Sequence, residues 1–162
     1  MISRHPGVVY FLGDGMKGRL GLFAASLFAM GSSAVAVPTI GTFQFDDVAI
    51  MGCSAVAGDR GSKGWDGPKY AVWKIGSLTP QATMTMKFNG SLESFAVSTS
   101  NSSGPKGTIR VTGRWRGHNI LLLYTPQKRT GYETMTGKGA IRVFSDTPGD
   151  SKSIPVTVNW GC

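Results

Sequence analysis

Apolar residues along this chain fall in short alternating runs that are separated by glycine, serine, threonine and other turn-forming residues. A period of two is typical of β-strands that bury one face. In the clearest run, residues 108–115, Ile109 and Val111 share one face and Arg110 and Arg114 share the other. This pattern predicts a protein built mainly from strands.

Nine strands are predicted from these runs, with no long helix after position 36. They cover residues 42–51, 54–57, 69–75, 82–88, 94–99, 107–116, 119–124, 139–145 and 153–160. Residues 116–119 (Arg-Gly-His-Asn) predict a hairpin turn, which leads into an apolar run typical of a central buried strand. Short strands joined by glycine-rich turns are typical of an all-β sandwich or barrel.

The N-terminus has the three parts of a secretory signal peptide. The apolar run 20–30 follows Lys17 and Arg19 and precedes the small-x-small sequence 34–36. We predict a signal peptide over residues 1–36, with Met16 as a second candidate start; a membrane anchor is the alternative. The mature chain, 37–162, is then secreted and has a size typical of one domain.

The charge of the mature part does not identify a partner. It carries fourteen basic and eight acidic residues, a formal charge of +6, against +8 for the full chain. A positive balance favours anionic partners. The basic residues are scattered, however, so we predict a solvated positive surface and no nucleic-acid site.

Two cysteines, Cys53 and Cys162, are the only ones in the chain. An even count in an exported protein indicates a disulfide rather than a metal site or a nucleophile. A Cys53–Cys162 bond would close a loop that spans nearly the whole mature domain. The loss of unfolded-chain entropy would then stabilise the fold by on the order of 4–5 kcal/mol.

The side chains that catalysis needs are scarce. The mature chain has a single histidine, His118, in the predicted turn, where a solvent-facing side chain is expected. No two acids have a spacing that pairs them, and no nucleophile elbow, metal motif or phosphate loop is present. The sequence therefore predicts no enzyme, no cofactor and no metal. Trp65, in a glycine-rich loop, is either a packing residue or an exposed recognition aromatic.

Both ends of the mature chain resemble the type 1-like fimbrial subunits of the chaperone–usher pathway. At the start, Gly41-Thr42-Phe43-Gln44-Phe45 precedes the cysteine that opens the first domain strand, Cys53-Ser54-Ala55-Val56. At the finish, a Pro-Gly-Asp turn precedes an alternating strand with a late aromatic, in residues 147–160. The middle of the chain shares with that family only its succession of short alternating strands.

This resemblance implies an incomplete, pilin-type immunoglobulin-like sandwich that polymerises by donor-strand exchange into a surface fimbria and supports cell adhesion. The donor strand would present Gly41, Phe43, Phe45, Ala49 and Met51. The acceptor groove would include Ile154, Val156, Val158 and Trp160. The implied partners are a periplasmic chaperone, an outer-membrane usher and other fimbrial subunits. The resemblance also implies an N-terminal extension, 37–52, before the domain, 53–162, and secretion through the periplasm to the bacterial cell surface. Asp47 departs from the family pattern, because it stands where a donor strand usually has glycine, and a bulge is expected there.

A second hypothesis keeps the N-terminal strand inside its own domain. The chain would then be a self-contained β-sandwich, such as an adhesin, lectin or inhibitor that binds a host or surface ligand. Trp65, Arg114, Trp115 and Arg116 would be the candidate ligand contacts.

Overall fold

The computed structural model describes residues 36–49, 52–62, 65–75, 81–101, 107–146 and 149–162. The predicted signal peptide, except Ala36, lies outside the described residues, and so does Met51.

Strands account for most of the described chain, which confirms the all-β prediction. One 3-10 turn, Phe45–Asp47, follows the first strand. The strands are β1 (Ile40–Gly41), β2 (Ser54–Asp59), β3 (Lys69–Lys74), β4 (Gln81–Phe88), β5 (Ser91–Asn101), β6 (Ile109–Trp115), β7 (His118–Arg129), β8 (Met135–Ser145) and β9 (Ser151–Gly161).

The strands form a closed antiparallel barrel. From β2 to β9, each strand pairs with the next one along the chain, and β9 pairs back with β2. Strand β1 adds two residues beside the end of β4. The finer prediction of an immunoglobulin-like sandwich is not confirmed, because that fold separates its strands into two sheets with Greek-key connections, whereas here neighbours in sequence are neighbours in space.

Two hairpins are closed by two-residue turns with positive φ at both positions. These turns are Asn89-Gly90 and Arg116-Gly117. Such turns suit the right-handed twist of the strands they join, and glycine adopts the second position without strain. The second turn is tighter than predicted, so His118 already belongs to β7 and its side chain is buried. The expectation of a solvent-facing histidine is wrong.

Large apolar side chains fill the interior of the barrel. An eight-stranded barrel is just wide enough for side chains to fill or for one small ligand. Here the rings of Trp73 and Tyr124 meet edge to face, with centroids 6.2 Å apart. The other buried residues of this core are Ile40, Ala55, Ala57, Ala71, Met84, Met86, Phe88, Phe95, Val97, Val111, Ile120, Leu122, Ile141, Val143, Val156 and Val158.

A second, smaller core lies on the outer face of β2 and β3. Val56 and Val72 alternate with inward-facing neighbours, so their side chains point away from the interior. Phe43 completes this cluster, and Phe45, Val48 and Trp65 pack against it. The N-terminal residues therefore cover an apolar patch that the barrel would otherwise expose.

Candidate functional site

The N-terminal segment, defined here as residues 36–49, runs along its own barrel. In β1, Ile40 lies opposite Phe88 at the end of β4. Farther on, Phe43 and Lys69 exchange two backbone hydrogen bonds: Phe43 N–H donates to Lys69 O at 3.0 Å, and Lys69 N–H donates to Phe43 O at 2.7 Å. Only 4% of Phe43 is exposed. This segment is thus paired and packed within one chain.

The predicted strand 42–51 does not continue past Gln44. The chain turns instead through Phe45–Asp47, and Gln44 N–H donates to the Asp47 carboxylate at 2.8 Å. An aspartate that accepts a backbone N–H three residues earlier favours a turn over an extended strand. Asp46 and Asp47 are both exposed, so neither carboxylate pays a desolvation cost.

The residues predicted to form a donor face have separate environments. Gly41 pairs with Lys87, and Phe43 lies in the second, smaller core on the outer face of β2 and β3. Phe45 meets the Trp65 ring edge to face at 5.4 Å, while Ala49 is exposed. Among the described members of the set, no common inserting face exists, because the turn after Gln44 breaks the period of two.

The residues predicted to line an acceptor groove belong to a strand that is paired on both edges. Strand β9 is hydrogen-bonded to β2 on one side and to β8 on the other. Val156 and Val158 are buried in the barrel core, and Ile154 and Trp160 pack against it. In this conformation the space between the first and last domain strands is closed by their own pairing, so the predicted groove is not open.

The predicted disulfide is present. Cys53 and Cys162 are bonded, across a sequence separation of 109 residues. They flank the point where β2 begins and β9 ends, and Ser54 pairs with Gly161 beside them. The bond therefore fastens the two strands whose pairing closes the barrel.

Three of the four candidate ligand contacts lie near the β6–β7 turn and have partners in the chain. Trp115 stacks on Phe88, with centroids 4.3 Å apart, and the Arg116 guanidinium lies 5.1 Å from the Trp115 ring centroid. Arg116 also pairs with Glu93 at 3.2 Å, and Arg114 pairs with Asp146. Trp65 is elsewhere, against Phe45. The four residues do not form one site.

A buried lysine was not anticipated from the sequence. Lys69 is fully buried at the start of β3, and its Nζ donates to the Asp66 carbonyl oxygen at 2.5 Å. Burial lowers the pKa of Lys69, and the Asp66 carboxylate opposes that shift in part. The sequence did not mark it, because lysine is ordinarily a surface residue and a register shift in the β2–β3 pair interrupts the alternation next to Lys69.

Among the surface hollows of the described residues, two lie beside groups discussed above or carry an aromatic ring among polar groups. The first, about 270 Å³, lies beside the disulfide and is lined by small residues together with Phe45, Trp65 and Cys162. The second, about 370 Å³, lies on β7, β8 and the turn into β9. We call the second one the Phe144 hollow; Asn119, Arg142, Phe144, Asp146, Asp150 and Ser151 line it. Sequence reasoning did not identify it, because its residues are far apart in the chain.

Neither a membrane helix nor a metal cluster is found in the part of the chain that the structure describes. No helix there is long and apolar enough to span a membrane. Histidine, cysteine and acidic side chains do not group in threes there in a way that would hold a metal ion.

In comparisons with known proteins, no family model matches this chain, and neither a curated relative nor a solved structure matches it. Function must therefore be argued from its own residues.

Proposed function

We propose that this chain is an exported, self-contained β-barrel protein that binds a ligand or partner molecule on its outer surface. One observation carries the proposal: the N-terminal segment completes its own domain through the Phe43–Lys69 backbone pair and the burial of Phe43. Because the amide and the carbonyl of Phe43 are already paired within its own domain, these groups do not need an acceptor strand in another subunit.

The packed interior supports an external site. Trp73, Leu122 and Ile141 are fully buried inside the barrel, so side chains occupy the space that a ligand would need there. The outer surface, in contrast, carries the hollow beside the disulfide and the Phe144 hollow. Export is supported by the Cys53–Cys162 bond, since disulfides persist mainly in oxidising compartments.

The second candidate function is that of a fimbrial subunit. It is favoured by the small extent of the pairing that holds the N-terminal segment: β1 has two residues, and Phe43 forms one isolated bridge. A segment held by so few backbone bonds can be released at modest cost and offered to a neighbouring subunit. Released in this way, it would expose Val56 and Val72 as part of an acceptor surface.

The two candidate functions predict different oligomeric states in solution. The chain, expressed with its own N-terminus and purified without a pilus chaperone, should be a monomer by light scattering, with the N-terminal segment resistant to a nonspecific protease. Deleting residues 37–47 should destabilise or unfold it, because Val56 and Val72 lose their cover. Chaperone-dependent solubility, polymers, or a deletion variant as stable as the parent would favour donor-strand exchange instead.

A further inference from the structure

The outer face of the barrel carries a row of side chains that cross four strands at one level. Arg114 on β6 pairs with Asn119 on β7, Asn119 with Phe144 on β8, and Phe144 with Ser151 on β9. Asn119 and Phe144 alternate with buried neighbours, and residues paired across strands share a face, so all four side chains lie on the outer face. One aromatic ring therefore stands among polar groups at the Phe144 hollow.

Hydrogen bonds hold the polar groups of this hollow in place. The Asp146 carboxylate accepts from both Arg114 and Asn119. The Arg142 guanidinium lies 5.3 Å from the Phe144 ring centroid and donates to the Ser151 hydroxyl at 3.4 Å.

The mixture of charges selects against ions. An anion would meet the carboxylates of Asp146 and Asp150, and a cation would meet the guanidinium of Arg142. A purely apolar ligand would desolvate all of these groups without replacing their hydrogen bonds. A neutral molecule with many hydroxyl groups can instead donate to the carboxylates and accept from the guanidinium and the Asn119 amide.

The Phe144 ring and the neighbouring Arg142 guanidinium add a weakly hydrated surface. The C–H face of a sugar ring is flat and apolar, and it packs against such a surface while its hydroxyls reach the polar rim. The volume, about 370 Å³, is within the range of small-molecule sites.

From this geometry we propose that the Phe144 hollow binds a neutral saccharide. The inference rests on the proposed function, since it names the ligand class of a self-contained binding protein. Asp146 and Asn119 would hold hydroxyls at one side, Arg142 would hold them at the other, and Phe144 would support the ring.

The test uses the ¹⁵N-labelled protein, expressed as the full chain with its own N-terminus and first shown to be monomeric. It is titrated with the methyl glycosides of glucose, galactose, mannose and N-acetylglucosamine, with cellobiose, and with a heparin tetrasaccharide as the anionic probe. We expect saturable amide shifts at Asn119, Phe144 and Ser151 with at least one neutral sugar.

Two variants and a control test whether the sugar binds in the Phe144 hollow. Arg142→Ala and Asp146→Asn should each weaken that binding about tenfold or more, the effect of losing a charge-assisted hydrogen bond. Arg129→Ala removes an equally exposed arginine ten residues along β7, about 30 Å away, and should leave binding unchanged.

The inference would be overturned if no neutral sugar binds or if only the heparin fragment causes shifts. It would also be overturned if Arg142→Ala binds the sugar with the same affinity as wild type. A monomer that binds no sugar would refute the saccharide site and leave the proposed function standing. A protein that is soluble only with a chaperone would refute the proposed function itself.

Discussion

Phe43 is the side chain on which the position of the N-terminal segment depends. It is buried against Val56 and Val72, outside the main core. Phe43→Ala should lower the free energy of unfolding by about 3 kcal/mol, the usual cost of deleting a buried phenylalanine ring. Guanidinium denaturation measures this, with the exposed neighbour Gln44→Ala as a control that should change little. Equal stability of the two variants would mean that the segment does not pack on the barrel.

Tyr124 gives the barrel a dependence on alkaline pH. Burial raises its pKa to about 12, from the ordinary value of 10.0. The stabilisation of the neutral phenol is complete below pH 10 and is lost as the pH rises toward the folded pKa, because the unfolded chain ionises first.

The non-ionising variant Tyr124→Phe isolates this effect. Between pH 9 and pH 11.5, wild type should lose about 2 kcal/mol relative to the variant. Paired denaturation curves across that range measure the difference. If the difference between the two proteins is constant with pH, the phenol is not buried as described.

At the level of elements, strand β8 needs a glycine at position 139. A Cβ there would lie 2.2 Å from the backbone oxygen of Leu123 and 2.6 Å from the Cβ of Tyr124. Gly139→Ala should destabilise the barrel by about 2 kcal/mol or more, since backbone must shift to make room. Gly41→Ala is the matched control, because its Cβ would meet only the flexible Lys87 side chain at 3.4 Å. Thermal unfolding of both variants would show a large and a small change; similar changes would contradict the close approach of β7 and β8.

The disulfide acts on the β2–β9 pair. Replacing both cysteines by serine should cost on the order of 4 kcal/mol, because the bond closes a loop with a sequence separation of 109 residues. Chemical denaturation of the double variant measures the loss. Mass spectrometry that finds free thiols at Cys53 and Cys162 in the exported wild-type protein would contradict the bond.

The strands from β2 onward were predictable because apolar and polar residues alternate along them. The predicted and observed ends of these strands differ by only a few residues. The N-terminal strand was predicted too long, since the turn depends on the Asp47 carboxylate reaching the Gln44 N–H, which alternation does not encode. His118 was misplaced because a two-residue turn and a four-residue turn share the same sequence. Barrel closure could not be distinguished from a sandwich, because both require the same inward and outward alternation.

For the whole molecule, closure of the sheet has a functional consequence. In the described part of the chain, each strand from β2 to β9 has a partner on both sides, so none of these strands is a free edge along its whole length. Under the proposed function, recognition is left to side chains on the outer surface, such as those of the Phe144 hollow. The sequence placed Asn119, Arg142 and Phe144 on predicted strands. It could not show that β6, β7, β8 and β9 meet at one level, because that depends on strand register.

Amide hydrogen exchange at Phe43 and Lys69 tests the central claim, that the N-terminal segment belongs to its own barrel. The two amides form the reciprocal pair between the segment and β3. In the chaperone-free protein, both should exchange at least on the order of 100-fold more slowly than in an unstructured peptide. Exchange of Phe43 at the unstructured rate, while the β7 and β8 amides stay protected, would contradict the account and leave the segment free for another subunit.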